Sequence, residues 1–450
     1  MIAFVPPYLL GRLAEATEEP LRDLARRTLD LDARWRAGRA PAAPRLPVPG
    51  GAERTVHDAG QLERLPGRPV RAEGRPPTGD DAVDEAYDWL GRTYRGYLDV
   101  YSRRSLDDAG LPLVASVHYG QGYANAFWTG EQAVYGDGDG RVFRRLTIPL
   151  TVTAHELTHG VIQYTAALEY NGQAGALNES VADVFASLVE QYTRGQAAGE
   201  ASWLVGDGVF TPQIDGVALR SLKAPGTAYD DPLIGADPQP STMAGYVETE
   251  EDNGGVHINS GIPNHAFYLV ASRLGGHAWQ RAGQVWYDTL TGGALPPDAD
   301  FATFAQVTVE AAAQRYGTSS AEADAVRAGW SEVGIPVAPG TPGRATVTPG
   351  PPTTPGQVTP GTPTRVAVTR TGGIAGMHAH AEVDLDVQAD PGGWRALVAA
   401  CDLDALPEHR PQPDRFVYEV RIGPRSARVG EHELTPALSE LVRRVLAEGS

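Results

Sequence analysis

Apolar and polar positions follow different rhythms along this chain, and the rhythm changes wherever proline and glycine gather. Residues 11–38 space Leu13, Leu21, Leu24, Ala25, Leu29, Leu31 and Trp35 among charges, a helical pattern. "AGRAPAAPRLPVPGG" then reads as a linker, which makes the N-terminal stretch a short detachable piece. Residues 81–103 form an amphipathic helix, while "LPLVASVHYG" and "YANAFW" are short aromatic strands and the Asp-Gly pairs of "YGDGDGRVF" suggest a hairpin turn. Helices follow over residues 153–164 and in "NESVADVFASLVEQY". Then come a loop, "DNGGVHINSGIP", a helix, "NHAFYLVASRL", and further helical patterning over 301–333.

Composition breaks at residues 338–364, which are almost wholly Pro, Gly, Thr and small residues and cannot bury a core. Beyond them, "TRVAVTR", "HAEVDLDV" and "FVYEVRIG" alternate like strands, and "WRALVAAC" and "TPALSELVRRVLAE" read as helices, a separate small α+β domain. The chain of 450 residues is 42% hydrophobic and 21% charged, ordinary globular values. Its net charge of −18 argues against a nucleic-acid partner, which would need a basic face. The single cysteine, Cys401, permits no intrachain disulfide. No window is long and apolar enough for a membrane span. "MIAFVPPYLL" lacks the basic start and unbroken apolar run of a signal peptide, so either leaderless export or a cytoplasmic role fits.

The chemistry concentrates in His155-Glu156-Leu157-Thr158-His159. Histidines four apart on a helix share one face and can grip one zinc ion, with Glu156 beside them to take a proton from water. The bare motif also occurs on plain polar helix faces, so its surroundings decide. Catalytic zinc wants three protein ligands. Glu179 lies 24 residues beyond His155 on a helix able to pack against the first, and Asp183 shares its face. A carboxylate there could fix the tautomer of a ligating imidazole. The alternative is an ordinary charged helix face.

Three long stretches, "YANAFWTGEQAVYGDGDG", "AHELTHGVIQYTAALEYNGQAGALNESVADVF" and "DNGGVHINSGIPNHAFYLV", resemble the thermolysin family of zinc metalloproteases, a likeness covering roughly residues 52–336. The resemblance implies an α+β, two-lobed fold, with a β-rich N-terminal lobe, a helical C-terminal lobe, and the zinc helix at the floor of the cleft between them. It implies His155, His159 and Glu179 as zinc ligands, Asp183 behind them and Glu156 as general base. His257, oriented by Asp252, and Tyr170 are the implied oxyanion donors. Asn125 and the Ala126 carbonyl are implied to hold the substrate backbone, and Arg220 a substrate carbonyl. Phe143, Leu146, Val152 and Leu219 are implied to line a pocket for a bulky hydrophobic residue after the cut, although core packing would account for the same four. The expected partner is a peptide or protein substrate, and the expected state a monomer.

Two departures matter. Thr151, Ser202 and Leu204 stand where the family often places calcium-binding acids, so at most one calcium is expected, since calcium wants six to eight oxygens. Pro6, Pro7 and Tyr8 resemble the short-propeptide motif of the protealysin-like branch, which implies a propeptide in or near the cleft, removed within residues 40–54. Residues 365–450 resemble emfourin, a protein inhibitor of protealysin-like proteases, chiefly through Arg370, Gly372, Gly373, Ala375 and Gly376. The expected organisation is a propeptide over 1–50, peptidase lobes over 51–165 and 166–337, a linker over 338–364 and an emfourin-like domain over 365–450. The expected function is a zinc endopeptidase made as a zymogen, with propeptide and C-terminal domain as partners in cis. A catalytically silent metal-containing binding protein is the alternative.

Overall fold

The computed structural model describes residues 2–37 and 53–337 throughout, and, within 365–450, four strands and isolated helical positions. These residues fall into two compact units, one ending before the linker and one beyond it.

The first unit is mixed. Its sheet has six strands in the order β1-β5-β6-β4-β2-β3, where β1 is Ile2–Ala3, β2 Arg54–Asp58, β3 Arg68–Ala72, β4 Leu113–Val117, β5 Ala126–Trp128 and β6 Ala133–Tyr135. β2, β4 and β6 run parallel, and β5 pairs antiparallel with both β6 and β1. The helices are α1 (Pro7–Leu13), α2 (Glu19–Ala37), α3 (Asp81–Tyr101), α4 (Leu150–Gln163), α5 (Gly172–Arg194), α6 (Asp252–Asn259), α7 (Gly261–Leu274), α8 (Ala282–Thr291), α9 (Phe301–Tyr316) and α10 (Ala321–Glu332). All six strands of this sheet precede α4, along with α1 to α3, and six of the ten helices follow it with only two short two-stranded ribbons among them, which matches the expected β-rich and helical lobes.

α4 is buried from Leu150 to Ile162, so nearly every side chain on it is committed to packing or to chemistry. Gly160 lets it approach the sheet: a Cβ there would lie 2.7 Å from Leu106 Cδ1 and 3.1 Å from the Trp128 ring. Thr158 Oγ1 bonds back to the Ala154 carbonyl at 2.7 Å and meets the Tyr97 hydroxyl at 2.8 Å, tying α4 to α3. In the helical lobe, Trp286 and Trp330 stack with planes 8° apart, and Trp330 donates its indole hydrogen to Thr308 Oγ1.

The helical pattern of residues 11–38 is carried by the end of α1 and by α2, interrupted between Leu13 and Glu19. The N-terminal stretch is packed on the unit: Phe4, Val5, Leu9, Leu10, Leu13, Leu21 and Ala25 join the main core and Leu31 and Trp35 pack with Tyr119 and Phe127. Two expectations need correction. The Asp-Gly pairs make no hairpin; β5 and β6 are joined by Thr129–Gln132, and the next segment leaves the sheet for α4. Asp139 Oδ1 instead gathers the N–H groups of Arg141, Val142 and Phe143. "DNGGVHINSGIP" is mostly helical, although Asn253, Gly254 and Gly255 take left-handed angles inside α6.

In the second unit, Arg365–Gly372, Ala379–Asp384, Phe416–Ile422 and Arg425–Gly430 form an antiparallel sheet with the first strand between the second and third. Val366, Val368, Trp394, Val420, Leu438 and Leu441 are among its core residues.

His118, just past β4, sits between Asp137 (Nδ1–Oδ1, 2.8 Å) and Asp80 (Nε2–Oδ2, 3.1 Å). The Asp137 contact raises its pKa to about 9 against the opposing effect of burial. A raised folded-state pKa stabilises fully below the unfolded value near 6.5, and that contribution is lost as pH climbs through about 9. Calorimetry of His118→Gln in an inactivated chain should therefore show a Tm deficit at pH 6 that shrinks by pH 9.5; an equal deficit at both would contradict this.

Candidate active site

His155 and His159 project from one face of α4, and Glu179 and Asp183 from the facing side of α5. Close approach around α5 is possible because residue 175 is glycine: a Cβ there would lie 2.4 Å from Val256 and 3.0 Å from the Tyr170 backbone. The two Nε2 atoms lie 2.9 Å apart, with Glu179 oxygens 3.4 Å from His155 and 3.7 Å from His159. All three side chains are buried.

The opposite edges of the imidazoles are already engaged. His159 Nδ1 lies 2.9 Å from Asn178 Oδ1, whose amide nitrogen donates to the Leu168 carbonyl, so the oxygen accepts and Nδ1 carries hydrogen. His155 Nδ1 lies 2.9 Å from Asp183 Oδ1, a carboxylate that can only accept, though the contact is bent. With hydrogen on each Nδ1, both Nε2 atoms face one point, where they can share a single proton or bind a cation. Burial lowers the His155 pKa, but Asp183 and Glu179 outweigh it and bring the group to about 9. Burial and the neighbouring His155 take His159 down to about 3. The pair thus accommodates one positive centre and not two protons. Glu179 Oε2 and both Glu156 oxygens are buried without hydrogen-bond partners. Such orphaned acceptors fit a resident cation.

Around this group, burial drives Glu156 up to about 8. Asp252 accepts from His257 through Nδ1 at 2.6 Å and the backbone N–H at 2.9 Å, fixing the ring so that Nε2 points into the cleft. Burial lowers the His257 pKa, but Asp252 and Glu179 prevail and raise it to about 9. Tyr170 donates to Glu179 Oε1 at 2.5 Å and lies 3.3 Å from His257 Nε2. Burial and Glu179 hold its hydroxyl well above the ordinary tyrosine value, so it remains a donor. Arg220 grips Asp183 with two bonds, at 2.8 and 2.9 Å, and Asn264 adds a third at 2.9 Å. Burial raises the Asp183 pKa, but Arg220 and His155 outweigh it and hold the carboxyl below its ordinary range.

The N-terminal strand lies in this cleft. β1 pairs antiparallel with β5, Ile2 opposite Trp128 and Ala3 opposite Phe127. The Phe4 N–H donates to the Ala126 carbonyl at 2.9 Å. His257 Nε2 meets the Ala3 carbonyl at 2.8 Å, and Arg220 Nη1 donates to the Phe4 carbonyl at 3.0 Å. Asn125 accepts the Val5 N–H at 2.7 Å and donates to its carbonyl at 3.2 Å. The Phe4 ring, fully buried, stands edge-on to His155 and beneath the Arg220 guanidinium. Phe143, Leu146, Val152 and Leu219 share its core, and Phe143 also packs on Phe210. Pro6 precedes α1, Pro7 is its first residue, and the Tyr8 hydroxyl is buried beside Tyr229 and Asp237.

Residues 73–163 match the thermolysin metallopeptidase catalytic domain and residues 166–335 its alpha-helical domain, while residues 368–446 match emfourin. An extracellular metalloprotease of Pectobacterium carotovorum subsp. carotovorum is 52% identical over 335 residues, 74% of this chain and 96% of that protein. The chain belongs to the thermolysin family. Thermolysin of Alicyclobacillus acidocaldarius subsp. acidocaldarius is 38% identical over 263 residues, 57% of this chain and 46% of that one. The solved precursor of protealysin, a metalloproteinase from Serratia proteamaculans, superposes with a TM-score of 0.69 at 51% identity, over 74% of this chain and all of that one. This chain is thus a thermolysin-like metalloendopeptidase of the protealysin-like branch. The family uses a catalytic zinc, which the His155, His159 and Glu179 group fits.

Among the described residues that group is the one cluster of three or more His, Cys, Asp or Glu side chains with metal-ligand spacing. Of the positions where calcium-binding acids were expected, Thr151 accepts the Gly206 N–H at 3.0 Å; nearby, the acid Glu190 pairs with Arg194 at 3.0 Å. The sequence reading missed Asn178, Asn264 and Asp32. Asn178 is adjacent to a proposed ligand in "NES", a signal that was there to use. Asp32 of α2 accepts from Asn125 at 3.0 Å and from Tyr123 at 2.6 Å, a long-range contact with no local signature.

Asn178→Ala should weaken zinc binding about 10–100-fold by releasing the far edge of His159. Competition with a chromogenic chelator measures this, and unchanged affinity would contradict the assignment.

Proposed function

We propose that the site hydrolyses peptide bonds on the N-terminal side of bulky hydrophobic residues. His155, His159 and Glu179 hold the zinc. When bound, that ion supplies Lewis acidity to the scissile carbonyl and the attacking water. Glu156 takes the water's proton and passes it to the leaving nitrogen. His257, aimed by Asp252, and Tyr170 donate to the oxygen on which charge develops. Asn125 and the Ala126 carbonyl receive the substrate as an added strand, and Arg220 takes the carbonyl after the cut. Asp183 orients His155 and neutralises Arg220. Phe143, Leu146, Val152 and Leu219 shape the pocket for the residue following the cut.

The observation that carries this reading is the seating of residues 2–5 along β5. The chain's own backbone meets His257, Ala126, Arg220 and Asn125 in consecutive order, with an aromatic side chain buried between Arg220 and His155. It also supports a zymogen, since a second peptide cannot use those groups while residues 2–5 hold them. The domain boundaries at 50, 165, 337 and 364 are drawn from the linker compositions, and family matches over 73–163, 166–335 and 368–446 support them. The emfourin-like domain acts as an inhibitor in cis. Its tether of about 27 residues spans several tens of ångströms, which gives an effective concentration that can reach the millimolar range. The protein works outside the cell, as its extracellular relatives are named to do.

Chains freed of the N-terminal segment, full-length or ending at Val337, are to be compared on a quenched peptide with leucine after the cut. Glu156→Gln should lower kcat by about 10²–10⁴-fold in both. The truncated chain should be faster than the longer one; equal rates would remove cis inhibition. His257→Ala should lose up to about 2.7–4 kcal/mol of transition-state stabilisation with its Tm little changed. Zinc bound without any hydrolysis would favour the catalytically silent binding protein.

A further inference from the structure

We infer that the Ala3–Phe4 bond is itself a substrate: the protein cuts its own N-terminal strand there in cis and keeps the product that begins at Phe4. This rests on the proposed reading of the site and goes beyond occupancy of the cleft. The register singles out one bond. The carbonyls of Phe4 and Val5 are held by Arg220 and Asn125, on the side where a leaving product is gripped. The Ala3 carbonyl alone faces His257, the donor aimed by Asp252. The nitrogen across the bond, that of Phe4, is fixed on the Ala126 carbonyl. Both Glu156 oxygens are buried without partners, so the base has nothing else to serve. The strand also runs antiparallel to β5, the polarity that brings these groups into order.

The reaction is plain hydrolysis. Water oxygen bonds to the Ala3 carbonyl carbon, the bond to the Phe4 nitrogen breaks, and a proton from water reaches that nitrogen through Glu156. One water is consumed, and a carboxylate at Ala3 and an amine at Phe4 are left. The two sides of the cut are held unequally. Residues before it have their pairing with β5, the His257 contact to the Ala3 carbonyl and the burial of Ala3 in the small cluster around Tyr119 and Phe127. Those after it retain Arg220, both Asn125 bonds, the buried Phe4 ring, and α1 with Leu9, Leu10 and Leu13 in the core. Asp32 holds Asn125 from behind. The segment therefore blocks the cleft as a retained product, which reconciles a productive register with inhibition.

Full-length zinc-loaded protein and its Glu156→Gln variant are incubated at two concentrations tenfold apart, and new N-termini are followed by mass spectrometry. The expected result is a Phe4 terminus as the first new end, with the same first-order rate at both concentrations and at least 10²-fold slower in the variant. In the clipped protein, reductive methylation of the Phe4 amine should be at least tenfold slower than in the same chain unfolded by urea, a readout of retention independent of turnover. A first cut elsewhere, or a rate proportional to concentration, overturns self-cleavage in cis, and free labelling overturns retention. Protein that hydrolyses the quenched peptide once its N-terminal segment is removed, yet never forms a Phe4 terminus, contradicts this inference alone. Failure of both reactions overturns the reading of the site as well.

Discussion

Two imidazole nitrogens held 2.9 Å apart in a buried site are the constraint on which the rest of this structure depends. With neither a shared proton nor a cation between them the two lone pairs would repel, and burial removes the water that would screen them. The arrangement persists because Asn178 and Asp183 fix the far edges of the rings, leaving the near edges to a cation. Everything around α4 serves that geometry. Gly160 and Gly175 admit the neighbouring elements, and Thr158 with Tyr97 ties the helix to α3.

Asp183 links the metal group to the substrate cleft. It faces His155 on one side and takes two bonds from Arg220 on the other. A buried ion pair of this kind adds little net stability against an apolar substitute, but losing one partner strands a buried charge. Arg220 in turn holds a backbone carbonyl of the N-terminal strand, so three chemical tasks run through one carboxylate. The strand answers with its own substrate-like order, and the core residues of α1 keep it there.

Much of this was legible in the sequence because it is local. Helical spacing brought His155 to His159 and Glu179 to Asp183, and the alternation past Thr364 marked a separate strand-rich unit. The two-lobed α+β class and the emfourin likeness were readable from motif order. What escaped depends on long-range packing. Phe4 and Val5 lie in "IAFV", which reads as a few apolar residues before two prolines, and their role follows only from pairing with β5, over 120 residues away. Asp32 is one acid among many on α2 until Asn125 comes beside it. The Asp-Gly pairs misled because a hairpin turn needs strands on both sides, and after Tyr135 the next element is the helix α4.

The most direct test is anomalous diffraction at the zinc edge from crystals of the full-length Glu156→Gln protein. One peak among His155 Nε2, His159 Nε2 and Glu179, with the Ala3 carbonyl beside it on the His257 side, is the result predicted. A peak elsewhere, or a cleft in which residues 2–5 lie away from β5, would contradict the account.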